Sequence, residues 1–264
     1  MRVTFLGTGT SHGIPVIGCD CAVCRSDNPH NKRLRPSVYV ENSNQCLLVD
    51  ATPDFRTQAL RANINRVDAV LMTHTHADHV FGLDDLRVFS VRTGQKIPIY
   101  ASAHSVEAIQ RMFPYACTET PAWPGLPSFD LRPVEPHQTF DVLGTAIRAL
   151  PLVHGRMTVF GFLFGRDLAY VTDCKPVSPD VVEAIRGVPV LVLDALRARQ
   201  HPTHLTIAEA RGVAEQVGAK LTLFTHLCHE AEHDAIEKDL PPCVRVAYDG
   251  MQIEVTNGDV RQIA

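Results

Sequence analysis

Residues 73–79, Thr-His-Thr-His-Ala-Asp-His, place four side chains able to bind a metal, His74, His76, Asp78 and His79, within six positions. They follow directly on the apolar run Ala69–Met72, which reads as a strand. Neither a strand nor a helix alone aims all four the same way, because the side-chain periods are 2 and 3.6. A strand that turns into a helix can: His74 and His76 project in step from the extended part, and Asp78 and His79 sit in the turn that follows. The spacing suits two adjacent metal ions with imidazole and carboxylate ligands. The competing account is a surface His-rich turn with no ligand role.

A second cluster lies near the start. Cys19, Cys21 and Cys24 put three thiols within six residues, and C-x-C-x₂-C thiolates want a fourth ligand to close a tetrahedral zinc. His226-Leu-Cys228-His229 offers two, Cys228 and His229. A zinc on Cys19, Cys21, Cys24 and His229 would tie the N-terminal loop to the His226 loop. Four protein ligands leave no open position, so its role would be structural. The first residues lack the apolar core and cleavage site of a signal peptide, and the chain reads as cytoplasmic. In that compartment clustered cysteines point to metal rather than disulfides.

Composition removes several classes. The 264 residues are 45% hydrophobic and 20% charged, which suits a soluble globular protein and excludes fibre, coiled coil and disorder. No stretch approaches the ~20 apolar residues of a membrane span, so no membrane partner is expected. A formal charge of −4 argues against a grip on long nucleic acid, which calls for a basic face. Small anionic substrates held by metal ions remain open, as does a homodimer.

Short β-rich runs recur at Val3–Leu6, Ser37–Val40, Cys46–Val49, Ile97–Tyr100, Leu168–Val171, Val188–Leu193, Leu221–Phe224 and Val244–Val246. Ser178-Pro179 opens one helix, and the capping box Thr206–Glu209 opens another. Partial alternation implies an α/β protein with mixed sheets. The proline-rich 118–136 reads as a long loop within one domain covering 1–264. There is also an internal echo. Leu47–Asp50 and Ala169–Asp173 are strands ending in Asp, and Val70–His74 and Thr222–His226 are strands ending in Thr-His.

The H-x-H-x-D-H motif resembles that of the metallo-β-lactamase superfamily, and the resemblance extends over nearly the whole chain. It implies a four-layer αβ/βα sandwich of two mixed β-sheets flanked by helices. By family pattern His74, His76 and His154 would hold one metal, Asp78, His79 and His226 the other, and Asp173 would bridge them. Asp50 would support the motif from behind, as carboxylates do for ligating imidazoles. The cysteine cluster, Leu6–Thr10 and Gly13-Ile-Pro15 look like the PhnP-type phosphodiesterase branch, which carries such a zinc with a His three residues after the last catalytic His. In that branch the residue matching His204 sits beside the metals and acts on the phosphate.

The expected reaction is hydrolysis of a small, cyclic phosphodiester such as a ribose cyclic phosphate or 2′,3′-cyclic nucleotide. A metal-bridging hydroxide would attack phosphorus, with Asp78 and His204 in the catalytic set. The cofactors would be two divalent ions, Mn or Zn with Ni or Fe also compatible, and one structural Zn. Alternatives are a thioester or other hydrolase on the same scaffold, and a non-catalytic nucleotide-binding module. Asp194 is as well explained by a structural role as by pairing with a site His. His201 competes weakly with His204. His12, Arg87, Arg92 and Arg156 are further phosphate-contact candidates for which solvated roles weigh at least as heavily.

Overall fold

A computed structural model describes residues 1–42, 44–119 and 123–263. Its strands are β1 (Arg2–Gly7), β2 (Ser37–Asn42), β3 (Gln45–Val49), β4 (Ala69–Leu71), β5 (Ile97–Ala101) and β6 (Phe129–Pro133), then β7 (Thr139–Val142), β8 (Thr145–His154), β9 (Met157–Phe164), β10 (Leu168–Val171), β11 (Val190–Asp194), β12 (Leu221–Thr225) and β13 (Val244–Val246), and finally β14 (Gln252–Thr256) and β15 (Asp259–Gln262). They form two sheets, one of eight strands ordered β15-β14-β1-β2-β3-β4-β5-β6 and one of seven ordered β13-β12-β11-β10-β9-β8-β7. Both are mixed: β3 to β6 run parallel in the first sheet and β10 to β13 in the second.

Three apolar cores separate four layers. Between the sheets pack Val3, Phe5, Leu47, Val49 and Leu71 from the first, against Phe160, Phe162, Tyr170, Val192 and Leu223 from the second. The next residues along the same strands, Leu48, Val70 and Ile99, turn to the outer face of the first sheet. There they meet the helices α2 (Phe55–Arg61), α4 (Arg87–Thr93) and α5 (Ala103–Met112) through Phe55, Phe89 and Ile109, numbering after α1 (Ala22–Arg25) and α3 (Ala77–Val80). Leu191 and Leu193 do the same in the second sheet, against α6 (Pro179–Ala184) and α7 (Ile207–Val217). Covering both faces is why these strands read as continuous apolar runs rather than as alternation. The expected αβ/βα sandwich is the fold observed.

Two details differ from expectation. The segment 118–136 is not loop throughout, because Phe129–Pro133 is β6, which pairs with β5 alone. An edge strand tolerates proline at its end, since no neighbour asks for the missing N–H. Pro121 lies outside the described residues. The strands β7, β8, β9, β14 and β15 escaped the sequence. The expected helix starts do appear: Pro179 opens α6, and Thr206 caps α7 with a complete capping box to Glu209. Among the described residues no helix is long and apolar enough to cross a membrane.

Candidate metal centre

The His motif sits where the first sheet's β4 ends. His76 is the residue before α3, whose single turn carries Asp78 and His79. This is the strand–turn–helix that the spacing demands. Asp50, one residue past β3, is wholly buried behind it and in left-handed backbone at φ 59°. One of its oxygens accepts from the Thr73 backbone N–H at 2.8 Å. The other lies 2.7 Å from both the Thr73 hydroxyl and His79 Nδ1. His79 therefore presents Nε2 to the site, in a tautomer fixed by a carboxylate. Gly82 makes this docking feasible: a Cβ there would lie 1.9 Å from the Thr52 carbonyl oxygen, so only glycine lets the turn after α3 rest on the Asp50 loop.

The second sheet supplies the rest. His154 ends β8, Asp173 follows β10 at φ 56°, and His226 follows β12 at φ 62°. His74, His76 and His154 bring ligand atoms within 4.8 Å of one another. So do Asp78, His79 and His226, and His74, His79 and Asp173. Asp173 meets the first group through His74 and the second through His79, and its Oδ1 lies 3.2 Å from His226 Nε2 and its Oδ2 3.5 Å from His79 Nε2. The seven residues named from the motif and the resemblance are all brought to one place.

Their chemistry fits divalent cations. His79 Nε2, His154 Nδ1, Asp173 Oδ2 and His226 Nε2 are buried without a hydrogen-bond partner, which is costly unless something else binds them. Burial disfavours charge throughout the cluster. Even so, His226 and His79 hold the Asp173 carboxyl well below its ordinary range, and Asp173 raises His226 to about 9. Burial pushes His74 well down, keeping its imidazole neutral and free to ligate. A compact set of imidazoles and carboxylates whose ligand atoms lack partners is complementary to a divalent cation.

Beside it stands His204, in the loop before α7. Its Nδ1 donates to Asp194 Oδ2 at 2.9 Å, and its ring stacks on His226 at 4.7 Å between centroids, with His154 at 5.0 Å. The same Asp194 oxygen accepts from the Cys174 N–H at 3.2 Å. Asp194 therefore serves the site as well as the fold. Asp50 and Asp173, paired by the echo in the sequence, share left-handed backbone after their strands, and Asp194, at the end of β11, resembles Asp50 in being a buried carboxylate that orients a site imidazole.

The cysteine cluster also closes. His229 Nδ1 lies 3.2, 3.5 and 3.7 Å from the sulfurs of Cys19, Cys21 and Cys24. Zn–S of about 2.3 Å and Zn–N of about 2.0–2.1 Å at a tetrahedral angle set a sulfur-to-nitrogen edge of about 3.5 Å, so the four groups fit one zinc. The Cys24 N–H is the largest influence drawing the Cys21 thiol down to about 6, which favours the ligating thiolate. Between the two candidates for fourth ligand, geometry favours His229, because the Cys228 sulfur instead accepts from the Glu230 N–H.

Of the weaker candidates, Arg87 pairs with Asp84, and Arg92 donates to the Asn65 carbonyl oxygen at 3.0 Å. His12 is exposed, and His201 lies 5.0 Å from His204 between ring centroids. Sequence reasoning missed the Lys175–Glu209 ion pair at 2.9 Å, which clasps the loop after Asp173 to the helix after His204. Glu209 was visible only as a capping residue, and its partner is distant in sequence.

Comparison with known proteins agrees with this geometry. The model of the beta-lactamase superfamily domain matches residues 45–227. A solved structure described as a new diphosphatase from the PhnP family superposes with a TM-score of 0.88 at 40% identity, covering 96% of each chain. The ribonuclease Z of Methanopyrus kandleri is 28% identical over 86% of this chain and 94% of its own. An octanoyltransferase of Porphyromonas gingivalis is 36% identical over 99% of this chain, which spans only 53% of that relative's length. Taken with the fold and the H-x-H-x-D-H turn, these matches show that the chain belongs to the metallo-β-lactamase superfamily and is a hydrolase of its PhnP-like branch.

Proposed function

We propose that this chain hydrolyses a small phosphodiester, with residues 1–264 acting as one catalytic domain whose ligands come from both sheets. His74, His76 and His154 would hold one divalent ion, Asp78, His79 and His226 a second, and Asp173 both; Cys19, Cys21, Cys24 and His229 would hold a structural zinc. Manganese or zinc suits the histidine and carboxylate set. Two such ions, held there, would supply charge neutralisation for phosphoryl oxygens and would lower the pKa of a bound water toward neutrality.

The protein's own groups do the rest. Asp50 fixes the His79 tautomer, so Nε2 faces inward throughout turnover. Asp194 accepts a hydrogen bond from His204 Nδ1–H, which orients Nε2–H to give its proton to the departing ester oxygen. No side-chain nucleophile is needed. The observation that carries the reading is this Asp194–His204 pair, stacked on His226: metal ligands alone suit many hydrolases, whereas a proton donor beside them suits an alkoxide leaving group.

The substrate is taken to be a ribose cyclic phosphate or a 2′,3′-cyclic nucleotide, with no long nucleic acid bound. The similar PhnP-family diphosphatase extends the class to P–O–P linkages. The test is the rate on bis(p-nitrophenyl) phosphate against p-nitrophenyl phosphate, using manganese-loaded protein. A clear preference for the diester is expected. No diester turnover with the metal sites filled would overturn the reading and favour thioester chemistry.

A further inference from the structure

A cavity of about 410 Å³ lies between the loops after β5 and β6 and the β8–β9 hairpin. Its lining includes Val134, Pro136, Met157 and Phe160, with Glu135 and Arg156 among its polar groups. Three connections tie it to the site. Arg156 and Met157 belong to the hairpin turn after His154, and His154 is paired in register with Met157. The Phe160 N–H donates at 2.9 Å to the carbonyl of Thr73, the residue before His74. Gly155, between His154 and Arg156, lies against Thr203, since a Cβ there would be 3.1 Å from its methyl group. The hairpin that carries His154 therefore contacts the Thr203 loop through Gly155 and lines the cavity through Arg156, Met157, Thr158 and Phe160, which ties the cavity to the metal centre.

We infer that the cavity is a subsite for the nucleoside arm of the substrate. The inference rests on the phosphodiesterase reading and names which diesters are preferred. Its size falls in the range that takes a ring-bearing small molecule, and its exposed wall is mainly apolar, with Ser102, His104, Glu135, Arg156 and Thr158 as the polar residues. Such a surface gains from burying a flat base. The Glu135 carboxylate is an acceptor for ribose hydroxyl or base amino donors. Arg156 makes no hydrogen bond or ion pair among the described residues, so its planar guanidinium is free to lie on a ring face. The wall thus joins an apolar slot to an acceptor and a stacking cation, with the His104 imidazole and the Ser102 and Thr158 hydroxyls as further hydrogen-bonding groups, a combination that suits a nucleoside.

The test compares two diesters on manganese-loaded protein: thymidine 5′-(p-nitrophenyl phosphate) and methyl p-nitrophenyl phosphate. Ala103 and Thr158 also line the cavity and are exposed, so a large side chain there fills it without touching the metal ligands. Ala103→Trp and, independently, Thr158→Trp are expected to raise KM for the thymidine ester by about tenfold or more while kcat/KM for the methyl ester stays within about twofold. Arg156→Ala is expected to raise KM for the thymidine ester alone. The methyl ester reports on folding and metal loading in each variant. Equal slowing of both esters, or no effect on either, overturns the subsite while leaving the phosphodiesterase reading in place. Failure of the unmodified protein to cleave either ester overturns that reading and the subsite with it.

Discussion

Replacing Asp194 by Asn removes one negative charge and keeps the shape. In the native protein a single oxygen, Oδ2, accepts from both His204 Nδ1 at 2.9 Å and the Cys174 N–H at 3.2 Å. The amide oxygen of Asn can keep both contacts, so the loop stays folded. What goes is the charge that stabilises His204 once it carries a proton at each nitrogen. A hydrogen bond to a charged group contributes roughly 1.5–3 kcal/mol. If that stabilisation is felt as the proton moves, D194N slows the reaction about 10- to 150-fold. The loss should depend on the leaving group. A cyclic nucleotide opens to an alkoxide, which needs the proton; p-nitrophenolate departs without one. D194N is therefore expected to lose most of its activity on 2′,3′-cyclic AMP and little on bis(p-nitrophenyl) phosphate, with metal content unchanged. Equal losses on both esters would refute the proton-donor role. So would a variant that loses metal, since Asp194 would then act through His226, whose Nδ1 lies 3.9 Å from its other oxygen.

Other expectations follow from particular groups. Cys24→Ser should lower bound zinc by one ion per chain and reduce Tm while leaving the two exchangeable ions in place; unchanged zinc content contradicts the Cys19, Cys21, Cys24 and His229 site. Gly82→Ala drives a methyl into the Thr52 carbonyl and should cost about 1–3 kcal/mol in urea unfolding, a cost absent if the loop shifts freely. Burial first, then the Arg33 charge, lowers His233 to about 4. The unfolded chain, at about 6.5, binds the proton over that interval and the native chain does not, so stability is full above pH 6.5 and falls as pH drops toward 4. The loss amounts to about 3 kcal/mol by pH 4. Urea unfolding of His233→Gln should show a pH dependence shallower by that amount, and parallel curves would contradict it.

Much of the centre was legible because its residues sit at strand ends, where apolar runs stop abruptly at His or Asp. The runs before Asp50, His74, Asp173 and His226 are buried on both faces, so the strands announce themselves. The hairpin of β8 and β9 did not. Pro151 lies inside β8 and argues against a strand, yet it is accommodated. The Ala149 N–H donates to the Gln138 carbonyl just before β7, and Pro151 faces the same side two residues later, beyond where β7 begins. Gly161 interrupts β9 for a reason equally invisible in sequence: a Cβ there would be 2.6 Å from the Tyr170 carbonyl oxygen on β10. Asp194 was ambiguous because its value depends on His204, ten residues on and placed by the turn before α7. Long-range pairing decides such roles, and one sequence does not display it.

The claim that most needs testing is that Asp173 joins two metal ions into one phosphodiester-cleaving centre. The direct measurement is metal content alongside the bis(p-nitrophenyl) phosphate rate for the native protein and for Asp173→Asn. The account predicts two exchangeable ions in the native protein, loss of at least one in the variant, and a fall in rate of about a hundredfold or more, equivalent to about 2.7 kcal/mol of barrier. A variant that keeps both ions and cleaves the diester at the native rate would contradict it.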